Sequence, residues 1–348
     1  MTLRSRVVIV TVLAIACSAT RAAAQWLNTP TAGIPRTADG KPNLTAPAPR
    51  TPDGKPDLSG LWMMSGLGHA TNITDVEMLP WAQKVFQQRL ETYGHEDPAV
   101  TCLPEGPRTS LAGLDPIRII QTPAMVVILY EGGPARQIFT DGRALPKDPT
   151  PTWMGYSVGR WDGDTLIVDT TGYNDRTWLD FRGHPHSEAL HVTERFRRTD
   201  FGHIQLSITY DDPKTYVKPW TINLPVNFVP DTDQLENVCL ENLKNLPLVG
   251  RPSDDRKAAK KVARDVLARY AGAYEVEMLG TFTVSVVGDE LMIEIPGGGG
   301  KQGTIARSDT LFMFPPIGGS IRFVTDASGK ATYFVLSIVE GDMKGTRK

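Results

Sequence analysis

Between Ile117 and Phe228 apolar and polar residues follow one another in short runs that suit strands rather than helices. Ile117 to Thr122, Met125 to Glu131 and Arg136 to Thr140 are rich in β-formers and bounded by proline or glycine. The stretch from Trp153 to Trp220 organises the rest. Asp162-Gly163 sits between two β-rich runs, a strong hairpin signal. Leu190 to Thr199 and His203 to Asp211 repeat the pattern around a turn at Asp200-Phe201-Gly202. Thr221 to Phe228 reads as one more strand, which Pro225 would confine to a sheet edge. Short strands with turn signals about every ten residues predict an antiparallel β-barrel or sandwich.

Two segments break the pattern. Pro80 to Tyr93 has proline in its first turn, and Trp81, Val85, Phe86, Leu90 and Tyr93 fall on one helical face, predicting a helix that covers the sheet. Ser253 caps a second predicted helix running to about Ala271, with Ala258, Val262, Val266, Leu267 and Tyr270 on its apolar face. Beyond it come seven short strand candidates, from Tyr274–Met278 to Thr332–Val339, with hairpin signals at Gly288-Asp289 and Ser328-Gly329. The organisation predicted is therefore mainly β: a leader (1–24), an extended Pro-rich arm (25–50), a main antiparallel β domain (51–245), a linker and helix (246–271) and a second small β-barrel (272–348).

The arm contains a near repeat. Arg36-Thr-Ala-Asp-Gly-Lys-Pro-Asn-Leu returns as Arg50-Thr-Pro-Asp-Gly-Lys-Pro-Asp-Leu. Asp-Gly followed by Lys-Pro is turn chemistry, so the arm should wrap the barrel. Gly60-Leu61-Trp62 resembles the Gly-x-Trp with which lipocalin-like barrels often open, which implies a first strand whose tryptophan closes one barrel end.

The leader changes the charge and the cysteine arithmetic. Arg4 and Arg6 precede an apolar run, and Ala22-Ala23-Ala24 offers a cleavage site, as in a secretory signal peptide. The rival reading is lipoprotein attachment at Cys17. Cleavage would remove three of the 37 basic residues, leaving 34 against 39 acidic ones and a net charge of −5. No basic block points to nucleic acid, and no later segment is apolar for long enough to be an integral membrane span. Of three cysteines, Cys102 and Cys239 would remain, an expected disulfide in a periplasmic or secreted protein; two buried free thiols are the alternative.

Arg269-Tyr-Ala-Gly-Ala-Tyr-Glu275, Phe282-Thr-Val-Ser-Val-Val-Gly-Asp-Glu-Leu291 and Ile321-Arg-Phe-Val-Thr-Asp-Ala-Ser-Gly-Lys330, with Leu311-Phe312, carry a resemblance. Residues 265–348 resemble the small lipocalin-like β-domain appended to serine β-lactamase-like hydrolases, which implies an accessory barrel without a catalytic centre. Residues 50–245 resemble a family of secreted bacterial proteins without assigned activity. That resemblance rests on Pro-Asp-Gly-Lys-Pro-Asp-Leu-Ser-Gly, Gly-Arg-Trp-Asp-Gly-Asp-Thr-Leu and Pro-His-Ser-Glu-Ala-Leu-His-Val-Thr-Glu-Arg-Phe, and implies no mechanism.

Strand parity selects the candidate chemistry. Leu190, Val192, Glu194 and Phe196 share a face, which puts a carboxylate among hydrocarbon. Such a group needs a partner or takes up a proton; Arg143, Arg160 and Arg176 are the expected partners. Glu194 and His191 are the candidate acid–base pair, although parity turns His191 away unless a bulge intervenes. His184, His186, Glu188, Asp180, Arg143 and Trp178 are candidate ligand contacts. Asp180 would orient an imidazole or cap the loop. His184, His186 and His191 are the candidate metal ligands, of types that suit zinc or iron. Gly155-Tyr-Ser157-Val-Gly159 matches a nucleophile elbow in letters, but Pro149-Thr-Pro151 precedes it where a strand should, and a hairpin strand follows where a helix should.

Three function classes stay open. The first is an exported barrel that binds a small, mainly apolar molecule through the His/Glu cluster. The second is an enzyme using that cluster for metal-assisted or acid–base chemistry on a hydrophobic substrate. The third is a non-catalytic extracytoplasmic scaffold.

Overall fold

The computed structural model describes residues 30–64, 76–91, 96–111, 116–180, 182–239, 256–277, 279–296, 300–315, 319–338 and 341–348. The predicted leader, Cys17, Tyr93 and Ser253 lie outside them.

The first sheet is a closed barrel of nine strands in sequence order: β1 (Gly60–Met64), β2 (Ile117–Gln121), β3 (Met125–Tyr130), β4 (Arg136–Phe139), β5 (Tyr156–Asp162), β6 (Thr165–Thr171), β7 (His191–Arg198), β8 (His203–Asp211) and β9 (Trp220–Phe228). An odd ring cannot alternate direction all the way round, so one neighbouring pair must run parallel. That pair is β4 and β5, and the crossover from Thr140 to Gly155 supplies the length a parallel connection needs. The expected all-antiparallel barrel is corrected at that seam. The turn between β5 and β6 is Gly163-Asp164, one residue later than the Asp-Gly signal suggests, with Gly163 at φ +56°.

Pro225 does not make β9 an edge strand, since β9 pairs with both β8 and β1. Among the described residues the β1 ladder covers 226–228, so Pro225 lies just past it, where no described pairing asks a donor of it.

The barrel has two unlike ends. At one, Trp62 is fully buried, edge-on to Phe228 with centroids 5.3 Å apart, and Arg198 lies over its ring at 4.8 Å. Arg198 donates to the carbonyls of Asp57, Asp200 and Phe201, and burial lowers its pKa to about 10. This is the tryptophan-closed end. The opposite end carries the long β6–β7 and β8–β9 connections.

The arm lies along the barrel, and its repeat is a structural unit. In each copy the Thr N–H donates to the Lys carbonyl and the Gly N–H to the Thr carbonyl, all at 2.9 Å. The arginine that opens each copy then reaches a barrel aspartate: Arg36 binds Asp231 and Arg50 binds Asp164.

Helix α1 (Pro80–Leu90) covers the long-connection end. Its buried residues are Ala82 and Phe86. Trp81 is 44% exposed and donates its indole N–H to the Lys214 carbonyl, so the expected apolar face is rotated by about one position. The second helix is shorter than expected. Among the described residues the expected span is broken at 258–263, and α2 (Arg264–Tyr270) forms next to the second barrel, burying Leu267 and Tyr270, while Val262 packs from the preceding extended segment.

The second sheet contains β10 (Gly272–Val276), β11 (Gly280–Val287), β12 (Glu290–Glu294), β13 (Gln302–Gly303), β14 (Ile305–Ala306), β15 (Leu311–Phe314), β16 (Gly319–Thr325), β17 (Ala331–Ile338) and β18 (Gly341–Arg347). Its edges are β13 and β14, separated in sequence only by Thr304. Edge strands joined by one residue force the sheet to curl onto itself. Counted as one bent strand, they complete an eight-membered up-and-down barrel, the small lipocalin-like barrel expected. The unforeseen strand is β18, whose glycines and charges hide its pairing with β10 and β17.

Candidate functional site

The inward rows of β4 to β9 build a polar belt near the long-connection end of the first barrel. Ser157 and Thr170 are cross-strand partners, as are Thr170 and Val192, Val192 and Tyr210, and Tyr210 and Trp220. Glu194 sits one inward position further along β7, between Val168 and Ile208, both wholly buried. The predicted carboxylate in hydrocarbon is therefore real, at 1% exposure.

Its partner is Arg136, not Arg143, Arg160 or Arg176. Arg136 Nη1 donates to Glu194 Oε1 at 2.9 Å and Nη2 donates to Oε2, a bidentate fork. The same guanidinium donates to Thr170 Oγ1 at 2.9 Å and to Ser157 Oγ at 3.2 Å, and those hydroxyls are 2.9 Å apart. Burial alone would lower the Arg136 pKa; Glu194 overrides it and holds the guanidinium well above its ordinary range. Arg160 instead pairs with Asp169 on the barrel exterior.

Tyr173 continues the network. Its phenol lies beside Thr170 and the ion pair, and burial raises its pKa, with Arg136 opposing and Glu194 reinforcing the shift. Tyr210 is fully buried and stacked on Trp220, centroids 4.4 Å apart. Burial, then Glu194, pushes the Tyr210 phenol far up, so it stays neutral. Among the described residues, neither the Tyr210 hydroxyl nor the Trp220 Nε1–H has a hydrogen-bond partner, although both atoms are buried.

The β6–β7 connection holds two of the predicted imidazoles, and each has a defined local task. Asp180 Oδ1 accepts the N–H groups of Arg182, Gly183 and His184 at 2.9–3.0 Å, while Oδ2 meets His184 Nδ1 at 2.7 Å. Asp180 thus caps the loop and orients an imidazole at once. Burial works against its charge, but His184 prevails and holds the carboxyl below the usual range. The His184 ring stacks on Phe86 of α1 at 4.2 Å. Arg89 lies over the buried Trp178 at 4.7 Å and donates to the Gly183 carbonyl at 3.1 Å. That approach requires a glycine: a Cβ on Gly183, at φ +95°, would sit 2.8 Å from Arg89 Cβ.

His186 uses both nitrogens. Nδ1 faces the Ser187 carbonyl at 3.1 Å and so carries the proton; Nε2 accepts from Thr177 Oγ1 at 2.7 Å. Burial lowers its pKa, consistent with this neutral tautomer. Asp212 accepts from Ser187 N–H and Oγ–H and from Thr215 Oγ–H, tying the two connections together. Tyr216 donates to the Pro185 carbonyl at 2.7 Å.

The remaining candidates do not join this site. His191 faces outward, with Nε2 3.1 Å from Asp169 Oδ1 but out of line for a hydrogen bond. The β6–β7 and β7–β8 registers run without a bulge, so parity separates His191 from Glu194. Glu188 is exposed. Arg143 sits on the surface, held by Asp141 and over Phe139 at 3.8 Å. The three histidines therefore do not converge, and no cluster of metal-ligating side chains exists among the described residues. Ser157 lies on a strand inside the barrel, not on an elbow. His186 connects to Glu194 only through neighbours: its ring is 6.3 Å from that of Tyr173, which leads on through Thr170 and Arg136.

Parity could have found Arg136, which alternates with buried Ile138, and Tyr210, which ends the apolar row of β8. Nothing local marks Tyr173 or Trp220.

Fold and site together define a two-barrel β-protein with an ion pair sealed inside the first barrel. No family model matches the chain, and no curated protein matches it.

Proposed function

We propose that this is an exported protein whose first barrel binds a small, mainly apolar molecule, polar end toward the belt of β4 to β9. One observation carries the reading: the buried Tyr210 hydroxyl and Trp220 N–H have no partner among the described residues, beside a satisfied Arg136–Glu194 pair. A buried donor left unmade costs about 1–3 kcal/mol, and two on one stacked pair mark a place where a guest atom would repay that cost. The rest of the interior is hydrocarbon, which suits an apolar body. The Cys102–Cys239 disulfide supports an oxidising compartment.

Acid–base catalysis by Glu194 with an imidazole finds no support among the described residues: His191 faces away and His186 is fully engaged. Native mass spectrometry of the intact protein after gentle lysis tests the binding reading. A small-molecule adduct is expected. Bare polypeptide in every preparation, together with unchanged tryptophan emission on titration with apolar probes, would overturn it.

A further inference from the structure

We infer that the guest's polar end is an uncharged hydrogen-bond acceptor, a carbonyl or ether oxygen, on an apolar body; this rests on the binding reading above. The two unmatched groups both offer protons. An indole N–H is donor only, and the Tyr210 phenol remains protonated because burial and Glu194 both oppose its ionisation. An acceptor oxygen answers such donors, and the rings that carry them are stacked at 4.4 Å. A hydrocarbon would leave both unanswered.

Charge sets the other half of the specificity. Arg136 and Glu194 neutralise each other through a two-bond fork, and Thr170 and Ser157 take further guanidinium N–H groups. The guanidinium is therefore already committed. A guest carboxylate would bring an uncompensated negative charge into hydrocarbon beside Glu194, which burial penalises heavily. A guest ammonium offers only donors, and the indole N–H cannot accept from it. Hydrophobic cavities in barrels are readily pictured as fatty-acid sites, but this interior is arranged against an acid.

The test is a titration of the intact protein at neutral pH with four probes of matched chain length: 2-octanone, octane, octanoate and octylamine. Tryptophan emission and calorimetry are the readouts. The ketone should bind about tenfold tighter than the alkane, the equivalent of one to two net hydrogen bonds, and tighter than either ion. Tyr210→Phe and Trp220→Phe should each weaken the ketone several-fold and leave the alkane unchanged. Octanoate binding as tightly as the ketone, or a ketone-to-alkane ratio that neither variant alters, would overturn this inference and leave the binding reading standing. If no probe binds, the binding reading itself fails. The comparison among probes on the unsubstituted protein needs no variant to fold.

Discussion

The two barrels are close in strand number, nine and eight, and differ in what they enclose. The inward rows of the first present Arg136, Ser157, Thr170, Glu194, Tyr210 and Trp220. The core of the second is aromatic and aliphatic, with Tyr274, Phe282, Phe312, Phe323 and Phe334 packed ring against ring. Among the described residues, Ser320 is its one buried polar residue. The second barrel therefore serves as an internal control: a sheet of this size closes without an ion pair inside. Desolvating two charges costs several kcal/mol per ion before their attraction repays it. The second barrel closes without that cost, so closure by itself does not demand the pair.

The strongest way to break that comparison is to replace the pair by hydrocarbon. Glu194→Leu alone strands the Arg136 charge and should cost about 3–5 kcal/mol. Glu194→Leu with Arg136→Met should return stability to within about 1 kcal/mol of the parent, or above it, because packed apolar residues replace such pairs at little cost. Denaturant unfolding followed by tryptophan emission measures both. A double variant as unstable as the single one would make the pair a structural requirement and dissolve the contrast.

Next comes the disulfide. Cys102 and Cys239 lie 137 residues apart in sequence, and the second barrel contains no cysteine. Opening the bridge by Cys102→Ser with Cys239→Ser should cost about 2–5 kcal/mol, confined to the unfolding transition of the first barrel. A converse probe is Gly345→Ala. Its Cβ would fall 2.4 Å from the Phe334 ring directly opposite on β17, so the ring must move. Overpacking of this kind costs about 1–3 kcal/mol, and calorimetry should show it in the second transition only, with guest affinity in the first barrel unchanged. If each change shifts both transitions equally, the barrels do not fold as separate units.

How far sequence reached depended on whether local pattern decided the matter. Alternation placed Glu194 inside, because a strand's side chains have only two faces to choose from, whereas Trp62 at a closed end came from the likeness of Gly60-Leu61-Trp62 to the opening of lipocalin-like barrels. The repeat at Arg36 and Arg50 was visible, and its meaning as two matching clips followed only from where Asp231 and Asp164 lie in space. The His184–His191 cluster looked like a site because its residues are close in sequence. Parity split off His191, and two local hydrogen bonds absorbed His186. Arg136 was overlooked as the partner of Glu194 because the two are 58 residues apart, and only barrel closure brings β4 to face β7. The parallel seam at β4 and β5 was equally invisible, since strand number parity becomes a constraint only once the ring is known to close.

The smallest expected effect is also the one that uses the second barrel most directly as a control. All six histidines precede residue 204, so the second barrel has none. His186 is held neutral by burial, with a folded-state pKa below the ordinary value. The unfolded chain takes up a proton near pH 6.5, and the folded chain does so only at lower pH. Stability from this group is therefore complete above about pH 6.5 and is lost as pH falls from there through the depressed folded value. Asp180 acts in a separate window: its lowered pKa contributes stability above about pH 3.9, lost as pH falls through its folded value. Within the upper window the unfolding profile should thus slope for the first barrel and stay flat for the second, which has no histidine. His186→Gln removes the titrating ring and should flatten the first profile in the upper window while leaving the acid limb in place. A slope that survives the substitution would move the proton-sensitive group elsewhere in the first barrel; a slope of equal size in the histidine-free barrel would show that imidazole burial is not its source.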